Sequence, residues 1–524
     1  MSKLYFGGPI LTMEPGLNPT ALLTSPDGKT IEAVGDLEDL WGVDPNAQLV
    51  DLEGRTMLPA FLDPHSHLAA MATTVSLAQL ITAESFRDIA SILRHFVVDH
   101  EVQPGEWVVG TGYDQDLLDE GVHPTRQLLD TALADFPCLI THTSGHMGVA
   151  NSRALAIMGI DADTPDPDGG KIGREPDGKT PNGYLEENAF IRLATPAVPR
   201  TTPEKALNDL RYAQKKYISQ GFVLAQDGMT GQAEYDLLAA GARADLPLEV
   251  VGYADLNNAP QLADMPPIGR FSMGGYKMFL DGSPQGRTAW MSKPYAKSGD
   301  YRGYPAWSDE KVIENISLAL TKGRQLLAHC NGDAAAEQYM ECFEKALIRT
   351  GVGDTHRPVM IHAQLVRRDQ LERMSALGMI PSFFAAHLWY WGDTHLKNFG
   401  EERADHISPL GWAQELNLPF TLHQDSPVIE PNALESVWCA VARTTRSGRV
   451  LGSDLSVTAE QALKAFTRHA AYQYGMEKTR GTLVPGKRAE FVLLDADPTA
   501  VDPRQLRRIR VLETIREDEV LYQA

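Results

Sequence analysis

Short apolar runs that end on a histidine, or carry a lysine or a carboxylate, recur along the middle of this chain. Stretches with helical periodicity separate them. The first run, Met57-Leu58-Pro59-Ala60-Phe61-Leu62-Asp63-Pro64, leads into His65-Ser66-His67. Alternate residues of a strand share one face, so both imidazoles leave the end of a buried strand side by side and can share one metal ion. Among fifteen histidines such a pair also arises by chance, and the later runs decide between the two readings. Tyr276 to Gly282 encloses Lys277, Gln325 to Asp333 carries His329, Pro358 to Gln364 carries His362, and Pro419 to Pro427 ends on Asp425. Phe222 to Asp227 reads as another strand and Ile380 to Ala386 as the seventh. Ser308 to Lys322 and Arg367 to Gly378 have the spacing of helices. Strands alternating with helices imply a parallel sheet, and a closed (β/α)8 barrel brings every strand end to one face. The expected fold class is therefore α/β, with these positions meeting in space.

The ordered set HxH, Lys, His, His, Asp resembles the amidohydrolase superfamily of metal-dependent hydrolases. Gly183-Tyr184-Leu185-Glu186, Lys277 to Ser283, Arg287-Thr288-Ala289, His329 to Asp333, His362-Ala363-Gln364 and Asp425 to Val428 look more closely like amidohydrolase family 3. That branch is also called YtcJ-like and includes N-substituted formamide deformylases. The resemblance runs from the N-terminal strands to Gly486-Lys487-Arg488-Ala489-Glu490-Phe491. It implies a TIM-like barrel, a small β-sandwich built from both termini, and hydrolysis of carbon–nitrogen bonds other than peptide bonds.

Chemistry assigns roles within that set. Imidazole nitrogens and carboxylate oxygens suit zinc and related divalent ions, and a catalytic ion keeps one position open for water. His65, His67 and Asp425 are expected to hold the more buried metal, and His329 and His362 a second. Lys277 is the unusual member. A buried lysine near positive charge loses its proton, and the neutral amine can add carbon dioxide. The resemblance implies that the carbamate formed on Lys277 bridges two ions; the alternatives are a single-metal centre, or a Lys277 paired with Asp281 or another acid. A metal-bound hydroxide then attacks the substrate, and Asp425 takes the water proton and passes it to the departing nitrogen. A helix N-cap role before Ser426-Pro427 is the competing reading of Asp425.

The 524 residues exceed one ordinary domain and suit a barrel with insertions. Residues 56–477 read as the barrel, with an insertion at about 70–215; residues 1–55 and 478–524 read as the sandwich, with Pro26-Asp27-Gly28 as a hairpin turn. Within the insertion, Trp107 to Gly110 and Cys138 to Thr141 look like strands, and Asp161 to Asn182 like a long loop. A net charge of -21 disfavours nucleic acid and anionic membranes as partners. A small-molecule substrate is the expected partner, and a homodimer stays open. Cys138, Cys330, Cys342 and Cys439 show no CxxC spacing. With no apolar leader or spanning run, the expected location is the cytoplasm.

Substrate contacts are read more broadly. His142 and His146 lie in the insertion, Asp281 and Arg287 follow the Lys277 run, and His387 ends the seventh strand run and is expected to face the site, with Trp389-Tyr390-Trp391 just beyond as an aromatic wall. All but His387 have an equal structural reading: loop hydrogen bonds, salt bridges or aromatic packing. Gly481 to Lys487 has the spacing of a phosphate-binding loop, but Arg488 replaces the required Ser or Thr, so it reads as a turn. No GxSxG elbow or HExxH helix occurs. A metal-dependent amide or formamide hydrolase is the leading expectation. A cyclic-amide hydrolase or deaminase would use the same ions, and a regulatory or binding protein retaining the barrel is the non-enzymatic alternative.

Overall fold

The computed structural model describes residues 1–115, 117–142, 146–199 and 202–524. The chain divides into two compact units, one of residues 1–70 with 210–524 and the other of residues 71–209. In the first unit, β1 (Phe61–Leu62), β2 (Phe222–Thr230), β3 (Glu249–Asp255), β4 (Phe271–Phe279), β5 (Gln325–Cys330), β6 (Val359–His362), β7 (Ile380–Phe383) and β8 (Thr421–Leu422) form one sheet in chain order. Every neighbouring pair is parallel. This is the α/β, TIM-like barrel arrangement. The helix Asp309–Thr321 buries Val312, Ile316, Ala319 and Leu320, a stripe at helical spacing, and carries Asp309 and Glu310 in its first turn. Arg368–Ala376 is likewise the helix expected over 367–378.

The run Met57 to Asp63 reads as one strand, but the structure divides it. Thr56–Pro59 pairs antiparallel with Glu490–Leu494, and Phe61–Leu62 opens the barrel sheet. Successive amides change partner: Ala60 N donates to Glu490 O at 3.1 Å and Phe61 N to Gly221 O at 2.8 Å. Pro59, which has no N–H to give, stands just before the switch.

The strands Lys3–Phe6, Ala21–Thr24, Ile31–Gly35 and Gln48–Asp51 form one four-stranded sheet; Thr56–Pro59, Glu490–Leu494, Val511–Arg516 and Glu519–Gln523 form another. Tyr5, Leu22, Ile31, Phe491, Leu493 and Ile515 share one apolar cluster. The apparent single strand Val511 to Val520 is a hairpin, turned at Glu517 and Asp518, whose φ of 51° and 72° fits a two-residue turn.

The unit of residues 71–209 has its own six-stranded sheet and a core that includes Ile89, Leu93, Val108, Leu129 and Ile140. Asp161 to Asn182 is not one loop. Gly170–Arg174 pairs antiparallel with Pro181–Glu187. Glycine disguises this strand in the sequence; a Cβ at Gly173 would stand 2.4 Å from Asn182 Oδ1, so the close cross-strand approach requires its absence. Among the described residues no helix is long and apolar enough to cross a membrane. All four cysteines are free and buried.

Candidate metal centre

Backbone hydrogen bonds set His65-Ser66-His67 beside Asp425. His67 N donates to Ser426 O at 2.8 Å, and Gly228 N to Ser66 O at 2.7 Å. Ser66 Oγ donates to the buried Asp63 carboxylate, and Gln226 and Gln473 both donate to Pro64 O, at 2.7 and 2.8 Å. The turn after β1 is thus held from β2 and from the segment after β8.

Those contacts choose the free nitrogen of each ring. His65 Nδ1 donates to Gln226 Oε1 at 2.7 Å and His67 Nδ1 to Gly228 O at 2.6 Å. A neutral imidazole carries one N–H, so each Nε2 is left with a lone pair. Both point at one atom: Asp425 Oδ1 lies 3.3 Å from His65 Nε2 and 3.3 Å from His67 Nε2. Ligands held about 2.0–2.1 Å from a tetrahedral zinc ion stand about 3.3–3.4 Å apart, so the spacing matches. Asp425 Oδ1 is buried and has no hydrogen-bond partner among the described residues, as expected of an atom whose partner is a cation. His65, His67 and Asp425 together form a possible metal-ligand group, with donor atoms within 4.8 Å of one another.

A second donor group lies next to the first. His362 Nε2 is 3.0 Å from His329 Nδ1 and 3.9 Å from Asp425 Oδ2. His362 Nδ1 lies 3.1 Å from His423 Nε2, and His423 Nδ1 lies 2.9 Å from Ser382 Oγ. His329 Nε2 lies 2.9 Å from the Asn331 amide and 3.4 Å from Gly282 O, leaving Nδ1 toward His362. Lys277 Nζ is 2.9 Å from His65 Nε2. No carboxylate among the described residues forms an ion pair with Lys277, so its amine is not partnered by Asp281.

Burial dominates the electrostatics. It drives Lys277 down to about 7, and it drives His329 down to about 3, with His65 and His362 also well below the ordinary imidazole range. Burial alone would raise Asp425, but His67, His362 and His65 outweigh it and hold the carboxyl well below its usual range. His67 moves upward, because the Asp425 contact and charge outweigh its burial. The result is one ionised carboxylate among rings and an amine that burial holds toward their neutral forms, His67 alone being drawn the other way by that carboxylate, a donor set that suits a divalent ion. His362 and Asp425 also adopt left-handed backbone, with φ of 72° and 55°, a conformation that side chains with a Cβ enter at a cost and that clusters at functional sites.

Of the other sequence candidates, Asp281 borders the donor groups, its Oδ1 3.7 Å from His329 Nε2, and His387 lies one ring from them; the rest stand elsewhere. Asp281 is buried and accepts backbone N–H bonds from Trp290, Asn331 and Gly332 at 2.9, 2.9 and 2.7 Å, tying together the segments after β4 and β5. Arg287 donates to Ala296 O at 3.0 Å and lies over the Tyr295 ring. Trp389 packs against Trp438, with Arg507 over both rings. It is Trp391, with Phe384, that flanks His387, the first residue of the helix after β7. His142 and His146 belong to the 71–209 unit, where His142 Nε2 is 3.8 Å from Asp114 and His146 Nδ1 is 3.1 Å from Glu187. Residues 143–145 between them lie outside the described residues.

Sequence reasoning missed Gln226, Gly228 and His423. His423 and Asp425 form the same i, i+2 pair as His65 and His67, so strand alternation could have found it. Gly228 inside the β2 run signals close backbone approach: a Cβ there would lie 2.7 Å from His65 Cε1.

Two curated relatives span nearly all of the chain. It is 26% identical over 548 residues to "Putative amidohydrolase YtcJ" of Bacillus subtilis (strain 168), covering 100% of each chain. It is 28% identical over 526 residues to "N-substituted formamide deformylase" of Arthrobacter pascens, covering 95% of this chain and 94% of that one. Among solved structures, an uncharacterized metal-dependent hydrolase from Pyrococcus horikoshii OT3 superposes with a TM-score of 0.73 at 26% identity, covering 96% of this chain and 99% of the other. The model described as "Amidohydrolase family" matches residues 48–522, and the chain belongs to that family.

Proposed function

We propose that the protein is a metal-dependent hydrolase that cleaves the carbon–nitrogen bond of an amide or formamide in a small molecule. The observation that carries this reading is the placement of Asp425 Oδ1 at 3.3 Å from two imidazole nitrogens whose lone pairs face it. His65, His67 and Asp425 would hold one divalent ion, zinc by donor type, and His329 and His362 a second. Lys277, buried and pushed down to about 7, could add carbon dioxide, and the carbamate would then supply anionic oxygens to the metal centre. A bound cation supplies acidified water and a polarised carbonyl.

The chain's own residues do the rest. Asp425, held ionised, accepts the proton of the attacking water and delivers it to the departing nitrogen. Gln226 and Gly228 fix the tautomers of His65 and His67 that keep their Nε2 lone pairs available, and His423 packs its Nε2 against His362 Nδ1. The name of the Arthrobacter pascens relative supports a formamide or amide as the substrate class. The same reading takes the two terminal sheets as one small sandwich, residues 71–209 as an insertion after the first barrel strand, and the cytoplasm as the location.

The test is a zinc-loaded preparation assayed against formanilide, N-methylformamide, N-acetyl amino acids and hydantoin, with metal measured per chain. Turnover of an open-chain amide that stops on chelation and returns with zinc is the expected outcome. A chain that binds no divalent metal, or turns over nothing on the panel, refutes the reading.

A further inference from the structure

His387 opens the helix His387–Phe399 directly after β7, on the face where the strand ends converge, and is 4% exposed. Its Nδ1 lies 3.1 Å from Nε2 of His395, two turns along the same helix, with the ring planes 8° apart. His395 is fully buried and stacks on Phe399. Its own Nδ1 is shut off from solvent, with no hydrogen-bond partner among the described residues.

That orphan nitrogen decides where the protons sit. Burial holds both rings neutral, His395 at about 3 and His387 well below the ordinary range. Each ring therefore carries one N–H. Buried N–H groups without an acceptor are rarer than acceptors without a donor, so His395 Nδ1 is the bare nitrogen and its proton is on Nε2. His395 Nε2–H donates to His387 Nδ1, which leaves the His387 proton on Nε2, at the opposite edge of the ring. Phe384 and Trp391, with ring centroids 4.6 and 4.5 Å from that of His387, both pack against the imidazole. Phe384 in turn packs against His362 and His423, which places His387 one ring away from the metal ligands.

We propose that His387 contacts the substrate, donating its Nε2–H to the carbonyl oxygen as that oxygen gains negative charge, and that His395 is the positioning residue that keeps the proton on that nitrogen. The inference rests on the reading of the protein as a carbon–nitrogen hydrolase. As the water oxygen bonds to the carbonyl carbon, the π pair of the carbonyl moves onto its oxygen. The His387 proton stays on its nitrogen throughout. Collapse re-forms the carbonyl, breaks the carbon–nitrogen bond and lets the nitrogen take the proton held by Asp425.

Two measurements test this on the full chain. Histidine ¹⁵N spectra of the protein without substrate, assigned with His387→Gln, are expected to show His387 protonated at Nε2 and bare at Nδ1. With whichever panel amide is turned over, His387→Phe is expected to lower kcat by about 10²- to 10³-fold, with KM and zinc content nearly unchanged. His387→Gln, which keeps a side-chain N–H donor, should recover part of that loss, and His395→Phe should lower kcat while shifting the His387 tautomer. A His387 protonated at Nδ1 overturns the proposal, as does a His387→Phe variant with normal kcat. A chain inert toward the whole panel refutes the hydrolase reading instead, and the proposal then falls with it.

Discussion

Gly228→Ala tests the metal centre through geometry alone, because it changes no ligand and no charge. The ideal Cβ at Gly228 stands 2.7 Å from His65 Cε1, 3.2 Å from His65 Nδ1 and 3.3 Å from His67 Cε1. Carbon atoms settle at about 3.5–4.0 Å, so the His65 ring must retreat by roughly 0.8 Å. It has little room to do so, since Gln226 Oε1 holds Nδ1 at 2.7 Å and the ring is fully buried. Working metal sites tolerate about 0.2 Å in ligand distance, so the displacement exceeds the tolerance several-fold. The expected loss in zinc affinity is about 10- to 100-fold, and overpacking adds a fold-stability cost of about 1–3 kcal/mol. The assay is zinc per chain after gel filtration, with competition by a chelator of known affinity. Gly353→Ala is the control, since nothing lies within 4 Å of its Cβ position. If Gly228→Ala holds zinc within about twofold of wild type, the assignment of His65 and His67 as the ligand pair is wrong.

Asp425→Asn should retain metal, because one side-chain oxygen remains, yet lose kcat by about 10²-fold or more for want of a proton acceptor; paired metal analysis and kinetics check this, and normal kcat with full metal would move the base elsewhere. Lys277→Ala should lower the zinc count to at most one per chain and the activity with it, and added acetate or propionate should restore part of both by standing in for the carbamate; retention of two ions without such an acid refutes the bridge. Arg480→Met removes a guanidinium that lies 2.5 Å from Glu249 and 2.7 Å from Glu490 and is 2% exposed. The expected cost is about 3 kcal/mol, at the low end for a broken buried pair because Arg488 still reaches both carboxylates, and about 3 °C in Tm by scanning fluorimetry for a chain of this length. Burial already raises Glu490 despite Arg480 and Arg488, and the variant raises it further. The folded state then holds a proton that the unfolded state has released, so stability falls as pH rises from the carboxylate range, and the gap to wild type should be wider near pH 8 than near pH 5. A gap that narrows with rising pH would contradict the argument.

The barrel and its candidate ligands were legible because they impose residue types. A histidine or lysine inside an apolar strand is costly unless it has a task, so His65, His67, Lys277, His329, His362 and Asp425 stand out against their runs. Asp281 stood out in the same way and took a different place, because backbone amides satisfy it and amides leave no mark in a sequence. The division at Ala60 escaped for a related reason: which neighbour an amide chooses depends on residues about 160 and more than 400 positions away, Gly221 and Glu490.

The partners that fix the tautomers of His65 and His67 are of mixed kinds: a side-chain amide oxygen at Gln226 and a backbone carbonyl at Gly228. Both meet the same need, an acceptor for one N–H so that the other nitrogen keeps its lone pair. The ligands must be particular residues, whereas their supports need only be acceptors at the right place. Several residue types, or no side chain at all, can meet that second requirement. A sequence pattern therefore reveals where a metal can bind well before it reveals what tunes it, because only the fold brings the acceptors to the rings.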